Sequence, residues 1–282
     1  MDVLIGLKTI SRHQSNCTLL YKIFCTKILD TLYGVIMEAV QIHSGNTIEP
    51  MIYTEQYITD AERTGKTVAV VVDAIIDCYH HSKGFDFDVD LLTDRDFVLN
   101  HLYVAMQRKS DEDLVFVDCN FEDIEAYVVL KGETEHKAGY SIKMTPELLK
   151  HAGISEILAT NTALKHTYAE AELISMSCML KDMLNASDDD FSDEENPLYV
   201  LTNSRRHNGA SAILNREKLV EFGKKYNAHK IVCIPSSIHE WLLLPYREGM
   251  CIDYFNKMIQ EVNMTQVEPY ERLGDHAIIV NI

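Results

Sequence analysis

The sequence predicts an α+β fold, with antiparallel or mixed sheets packed with helices and divided into two sub-domains. Three observations lead there. The hydrophobic period changes from helical spacing to strand alternation near residue 114 and then changes back. Helix-start signals recur, as in Thr145-Pro146-Glu147 and at Asp94 and Asn215. A run of six acids in eight residues, Asp188 to Glu195, followed by Asn196-Pro197, marks an exposed linker between the two parts. The expected division is therefore residues 1–186, an acidic linker at 187–197, and residues 198–282.

Taken in order, Leu19 to Val40 places Leu20, Phe24, Ile28, Leu32 and Ile36 at helical spacing, so an amphipathic helix is expected there. Ile48 to Tyr53 reads as a short strand, and Thr54 or Thr59 is placed to cap the helix after it. Thr67 to His80 has helical periodicity despite its β-branched content. Asp94 is an N-cap for a helix expected to reach about Gln107. Leu114 to Val117, Ile124 to Leu130 and Tyr140 to Met144 then form an expected antiparallel meander, with turns at Cys119 to Asp123 and at Lys131-Gly132-Glu133.

Thr145-Pro146-Glu147 combines a capping hydroxyl, a proline at the first helical position and an acid in the first turn. A longer helix is expected from Ser155 through Leu164, Leu173, Met176 and Leu180. Beyond the acidic run, Leu198 to Thr202 and Ala210 to Leu214 read as a hairpin connected through Asn208-Gly209. Asn215 caps a helix to about Tyr226. Lys230 to Ile234 is a buried strand, Trp241 to Leu244 another, Met250 to Val262 a helix, and Ala277 to Val280 a last strand.

Composition narrows function. Of 282 residues, 43 are acidic and 26 basic, a formal charge of −17. That balance disfavours binding to a nucleic-acid backbone or an anionic membrane. No apolar run reaches the roughly 20 residues that span a bilayer. The seven cysteines are widely spaced without a C-x-x-C pair, which fits reduced thiols in the cytoplasm. The sequence implies no cofactor and no metal.

Several chemical motifs fail on inspection. Gly65-Lys66-Thr67 resembles the end of a phosphate loop, but the required upstream glycine is Asp60. His239-Glu240 begins like a zinc-protease helix, but the second histidine position holds Leu243. Gly209-Ala210-Ser211-Ala212 is not a nucleophile elbow, because Ile213 follows.

A polar cluster remains in the last third: Asn203, Asn208, Ser236, Ser237, His239 and Glu240. Two chemistries suit it. Ser236 or Ser237 as nucleophile, His239 as base and Glu240 as orienting group would make a hydrolase-like site. Alternatively, the serines cap a turn and His239-Glu240 form a structural network. The first expectation is a binding or interaction protein for a protein partner or small ligand. A hydrolase is the alternative.

The same residues carry a resemblance. Ile48 to Tyr53, Tyr199 to Asn203, Asn208 to Ile213, and above all Pro235-Ser-Ser-Ile-His-Glu240 are similar to a family of uncharacterised bacterial proteins. That family is a domain of unknown function abundant in anaerobic Gram-positive gut bacteria. Val117 to Thr145, Glu261 to Asn263 and Arg272 to Asp275 fit as well, so the similarity covers roughly residues 45–282. The resemblance implies a cytosolic bacterial α+β protein and implies no reaction.

Overall fold

The computed structural model describes residues 28–32, 35–41, 51–82, 88–133, 139–179 and 197–282. The chain divides into two compact units, Met1–Asp88 and Val89–Ile282. Both mix strands and helices, as expected of an α+β chain.

In the first unit, β1 (Ile28–Leu32), β2 (Val35–Gln41) and β3 (Met51–Tyr53) form an antiparallel sheet in that order. Helices α1 (Glu55–Thr64) and α2 (Val68–Ser82) follow, and buried Ile52 packs with Tyr57, Ile75 and Cys78. The helix expected over Leu19 to Val40 is therefore corrected from Ile28 onward, where the chain is a β-hairpin. Residues 19–27 lie outside the described residues. Ile28, Leu32 and Ile36 are four apart, a spacing compatible with both the helical and the two-residue period. Gly65 closes α1 in the left-handed conformation, and Lys66 pairs with Asp60 at 2.5 Å. The Gly-Lys-Thr triplet is thus a helix C-cap followed by a new helix, not a phosphate loop.

The second unit holds two sheets. One is built on β4 (Leu102–Arg108) and β6 (Ile124–Glu133), antiparallel from Leu102↔Leu130 to Arg108↔Ile124. Strands β5 (Phe116–Val117) and β7 (Gly139–Lys143) share the other edge of β6. The handover is at Val128, whose N–H donates to Val115 and whose carbonyl accepts from Met144. The expected meander is thus present as strands but not as a simple three-strand order. Lys131-Gly132-Glu133, expected as a turn, lies inside β6. Gly132 faces Tyr140, whose hydroxyl would be 2.2 Å from a β-carbon there, so a larger residue would have to displace that ring.

The second sheet has the order β12-β10-β11-β9-β8, with β8 Ala171–Ser175, β9 Tyr199–Asn203, β10 Lys230–Ser237, β11 Glu240–Pro245 and β12 Ile278–Asn281. All of its pairings are antiparallel. The acidic run at 188–195 lies outside the described residues. The strands on its two sides, β8 and β9, are hydrogen-bonded neighbours, and Ala171 and Leu201 belong to one core cluster with Trp241, Leu102 and Phe222.

Helix starts follow local chemistry. Asp94 accepts from the N–H groups of Asp96 and Phe97 at α3 (Arg95–His101), and Thr145 caps α4 (Pro146–His151). Ser155 caps α5 (Glu156–Glu170), and Asn215 caps α6 (Arg216–Tyr226). Helix α7 spans Ile252–Thr265. Two helix ends and one strand need correction. The helix begun by Asp94 stops at His101, because Leu102, Val104 and Met106 alternate and pair with β6. The helix begun by Ser155 stops at Glu170, and Leu173 lies in β8. Ala210–Leu214 is a 3-10 helix rather than a hairpin strand, and β9 pairs with β8 and β11 instead.

Strand β4 is the outermost strand of its sheet, so the edge turned away from β6 must find partners elsewhere. Side chains supply them. Thr167 Oγ1 of α5 accepts from the Val104 N–H at 2.9 Å, and Ser211 Oγ of the 3-10 helix donates to the Val104 carbonyl at 2.6 Å. The His166 ring meets the Leu102 carbonyl at 2.9 Å. Replacing Thr167 with valine keeps the shape and removes the acceptor. We expect Thr167→Val to lower stability by about 1–3 kcal/mol through an unpaired buried N–H, read as a shift in the urea midpoint. An unchanged midpoint would mean that water satisfies this edge.

Candidate functional site

The residues singled out in the sequence collect around the connection from β9 to the 3-10 helix and around the β10–β11 turn. Asn203, buried at the end of β9, folds the connection on itself. Its Nδ2 donates to the His207 carbonyl at 2.9 Å, and its Oδ1 accepts from the His207 N–H at 3.2 Å. Arg206 and Asn208 take left-handed backbone angles, φ 52° and 49°. The Asn208 N–H then donates to Nδ1 of His239 at 2.9 Å.

The His239 carbonyl is equally occupied, accepting from Thr202 Oγ1 at 2.7 Å and from the Gly209 N–H at 3.1 Å. This close approach explains the glycine. A β-carbon at 209 would lie 2.4 Å from Thr202 Oγ1 and 2.6 Å from the Asn203 nitrogen.

Because Nδ1 accepts, the His239 ring carries its proton on Nε2, which lies 3.4 Å from Glu271 Oε1. Neutral imidazole has one lone pair, and the Asn208 N–H occupies it. Ser237 Oγ accepts from the backbone N–H of His239 at 3.1 Å, not from the ring. Ser236 Oγ donates to Glu240 Oε1 at 3.3 Å. Asn203, Asn208 and His239 thus join in one network, with Ser237 at its edge. Ser236 and Glu240 pair with each other, and the carboxylate at the imidazole is Glu271, not Glu240.

Next to this loop is a small crevice lined by Tyr103, Lys131, Thr167, Glu170, Asn203 and Ser211, with Val104 and Ala212. Its interior volume is about 10 Å³, room for one water. Lys131, just past the last β4–β6 pair, donates to the Asn208 carbonyl at 3.3 Å and lies 5.8 Å from the centre of the Tyr103 ring. Burial lowers its pKa to about 8. The Glu170 carboxylate works against that shift, and the Arg205 guanidinium adds to it.

Burial also lowers His207, helped by the neighbouring His239 and Lys131 and opposed by Glu271. The two imidazoles have centroids 4.9 Å apart. Tyr103 is raised by burial, then by the charge of Glu170 and by its hydrogen bond to that carboxylate.

Lys131, Glu170, Tyr103, His207 and Glu271 carried no motif in the sequence. Lys131 sat in an apparent turn, and its neighbours come from α5, β4 and the β9 connection. The signal that would have found it is a lysine directly after a continuous buried run, Ile124 to Leu130. No group of three or more potential metal ligands occurs among the described residues. No helix among them is long and apolar enough to cross a membrane.

A model of a family described as a family of unknown function (DUF5688) matches residues 23–279, and the chain belongs to that family. No curated protein matches the chain, and no solved structure does.

Two measurements test this geometry. Gly209→Ala forces a β-carbon into backbone as well as side chain and should cost about 1–3 kcal/mol in a denaturant titration. For Lys131 the sign follows from linkage. The folded-state pKa is about 8 and the ordinary value 10.5, so the unfolded chain binds more protons between those limits. Native stability relative to Lys131→Met should therefore rise from pH 8 to pH 10.5, by about 3 kcal/mol for a shift of this size. A flat difference across that window would show Lys131 to be solvated.

Proposed function

We propose that this member of a family without an assigned activity is a binding protein, and that the Lys131 crevice and the 203–209 loop form its ligand site. The observation that carries this reading is the use made of His239. Its single lone pair holds the loop backbone through Asn208, and its carbonyl holds Gly209 and Thr202. A general base needs a free lone pair facing the nucleophile's proton. Here the imidazole is a clamp, and its product is a fixed rim around a half-buried amine. Preorganised polar groups at a concave site favour recognition, because little ordering remains to be done on binding.

The hydrolase alternative has less support. Ser237 bonds the main chain of His239, and Glu240 is engaged by Ser236. Neither serine meets the imidazole ring, the base on which the hydrolase reading depends. The acidic composition and the family resemblance suit a bacterial cytoplasmic protein whose ligand is a small polar molecule, not a nucleic acid or a membrane.

The test separates clamp from base. A fluorophosphonate probe should label neither Ser236 nor Ser237, and Ser237→Ala should leave ligand-induced shifts of the 203–209 amides intact. His239→Ala should lower stability by about 1–3 kcal/mol by orphaning the Asn208 N–H. Stoichiometric labelling of Ser237 that disappears in His239→Ala would establish the hydrolase instead.

A further inference from the structure

We infer that the 203–209 connection is a proton-operated latch: protonation of His239 withdraws the acceptor that holds Asn208 and lets the connection swing away from the β10–β11 turn. The device is a property of the loop and acts with or without a ligand. Its basis is one bond. The Asn208 N–H donates to Nδ1 of His239 at 2.9 Å, while Nε2 faces Glu271 Oε1 at 3.4 Å. An imidazolium carries a proton on both nitrogens and accepts nothing. Turning the ring over does not restore the bond, because neither edge then offers a lone pair. A proton taken from solvent onto Nδ1 therefore breaks the Asn208 bond and sets two donors against each other. The ring is reachable, with 22% of the His239 side chain exposed. Histidine is also the side chain whose charge ordinarily changes between about pH 5 and 8.

The neighbouring groups set how the proton is shared. Among the described residues they are Glu271 from the 269–271 turn, His207 from the connection itself, and Lys131 from β6, which reaches the Asn208 carbonyl at 3.3 Å. Glu240 of β11 is engaged by Ser236. Glu271 favours an imidazolium at Nε2, so protonation does not require unfolding. His207 has its ring centre 4.9 Å from that of His239, and charges on the two rings oppose each other. Its own titration is held below the ordinary range, by partial desolvation first, then by His239 and Lys131, against the pull of Glu271. His207 is largely exposed, so this second contribution is the smaller. Both act in one direction: the closed connection disfavours protons, and an open one takes them up.

The bonds that remain define the motion. Asn203 still holds His207 through two amide bonds and Arg206 through its carbonyl. Gly209 and Ala210 stay tied to the carbonyls of His239 and Ile238. Residues 204–208 therefore move as one preformed turn hinged at Asn203 and Gly209. Asn208, at φ 49°, loses the bond that kept it in the left-handed region and relaxes. The Lys131 contact with its carbonyl goes with it.

The experiment is an NMR titration of the full chain without ligand, from pH 8 to pH 5. Nitrogen shifts of the His239 ring report its tautomer, and the amides of residues 204–209 report the turn. Nδ1 should be the unprotonated nitrogen at pH 8. As it takes up its proton, the Asn208 amide should move to the shift of an unbonded N–H, and its neighbours should follow the same curve. Below the midpoint the open-to-closed ratio should rise up to about tenfold per pH unit for each proton taken up. His239→Asn places an amide oxygen where Nδ1 stands and cannot titrate, so its turn should stay closed at pH 5. Glu271→Gln removes the carboxylate at Nε2 and should move the transition to lower pH. A ring that titrates while the 204–209 amides stay in place overturns the inference, and so does a turn that remains closed down to pH 5. A transition unchanged in His239→Asn overturns it too, or, where that variant does not fold, one unchanged in Glu271→Gln. If the β10 amides move in the same step, the event is acid unfolding of the sheet and the latch is refuted. No ligand is present, so the binding function stands or falls apart from this result.

Discussion

The open edge of β4 is the constraint on which the second unit depends. A strand paired on one side only leaves a row of backbone groups that must not be buried unsatisfied. Here α5 and the 3-10 helix cover that edge with His166, Thr167 and Ser211, each bonding directly to the β4 backbone. Side chains reach where a strand would otherwise lie. The elements that carry them therefore stand away from β4, and the crevice opens between them. Val104, Thr167 and Ser211 belong both to that solution and to the crevice wall. The candidate site is thus a consequence of how an edge strand was closed.

The second requirement is to hold the 203–209 connection still. Two non-glycine residues in the left-handed region, Arg206 and Asn208, are tolerated only where surrounding bonds over-determine them. Asn203 supplies three such bonds, two through its amide to His207 and one through its carbonyl to the Arg206 N–H, and His239 two, through its ring nitrogen to Asn208 and its carbonyl to Gly209. Gly209 lets the two chains approach closely enough for those bonds to form. An imidazole used in this way has its Nδ1 lone pair engaged by the loop backbone, and Ser237, two residues earlier, meets the main-chain N–H of His239 and not its ring.

What was legible in the sequence was local. Asp94, Thr145, Ser155 and Asn215 each cap a helix within two or three residues, so each start was visible without tertiary context. Helix ends were not. Leu102, Val104 and Met106 continue an apolar pattern that suits either structure, and only pairing with β6 decides it. Leu173 leaves the helical path because β9 is there to receive it. Lys131-Gly132-Glu133 has turn chemistry, but it pairs with β7 from Lys131↔Ser141 to Glu133↔Gly139 and so extends β6. The candidate site divides along the same line. Asn203 and Asn208 were found because they sit together in one polar connection, and His239 because it stands between Ser236-Ser237 and Glu240 in another. Lys131, Glu170 and Glu271 were not, since their meeting depends on contacts between distant elements.

A charged amine in a poorly hydrated crevice lowers the stability of the fold at neutral pH, and an apolar side chain of similar length would not. Local structure does not require the lysine either. The Asn208 carbonyl that it reaches is a long contact on a loop already fixed by Asn203 and His239. Glu170 offsets part of the desolvation while Arg205 adds to it, so the surroundings do not neutralise the amine as a closed ion pair would. Departures from local consistency of this kind are expected at functional sites, where groups are arranged for a partner that is absent from the free fold. Lys131 is such a departure in the second unit, and it adds to the case for a ligand site that the use of His239 carries.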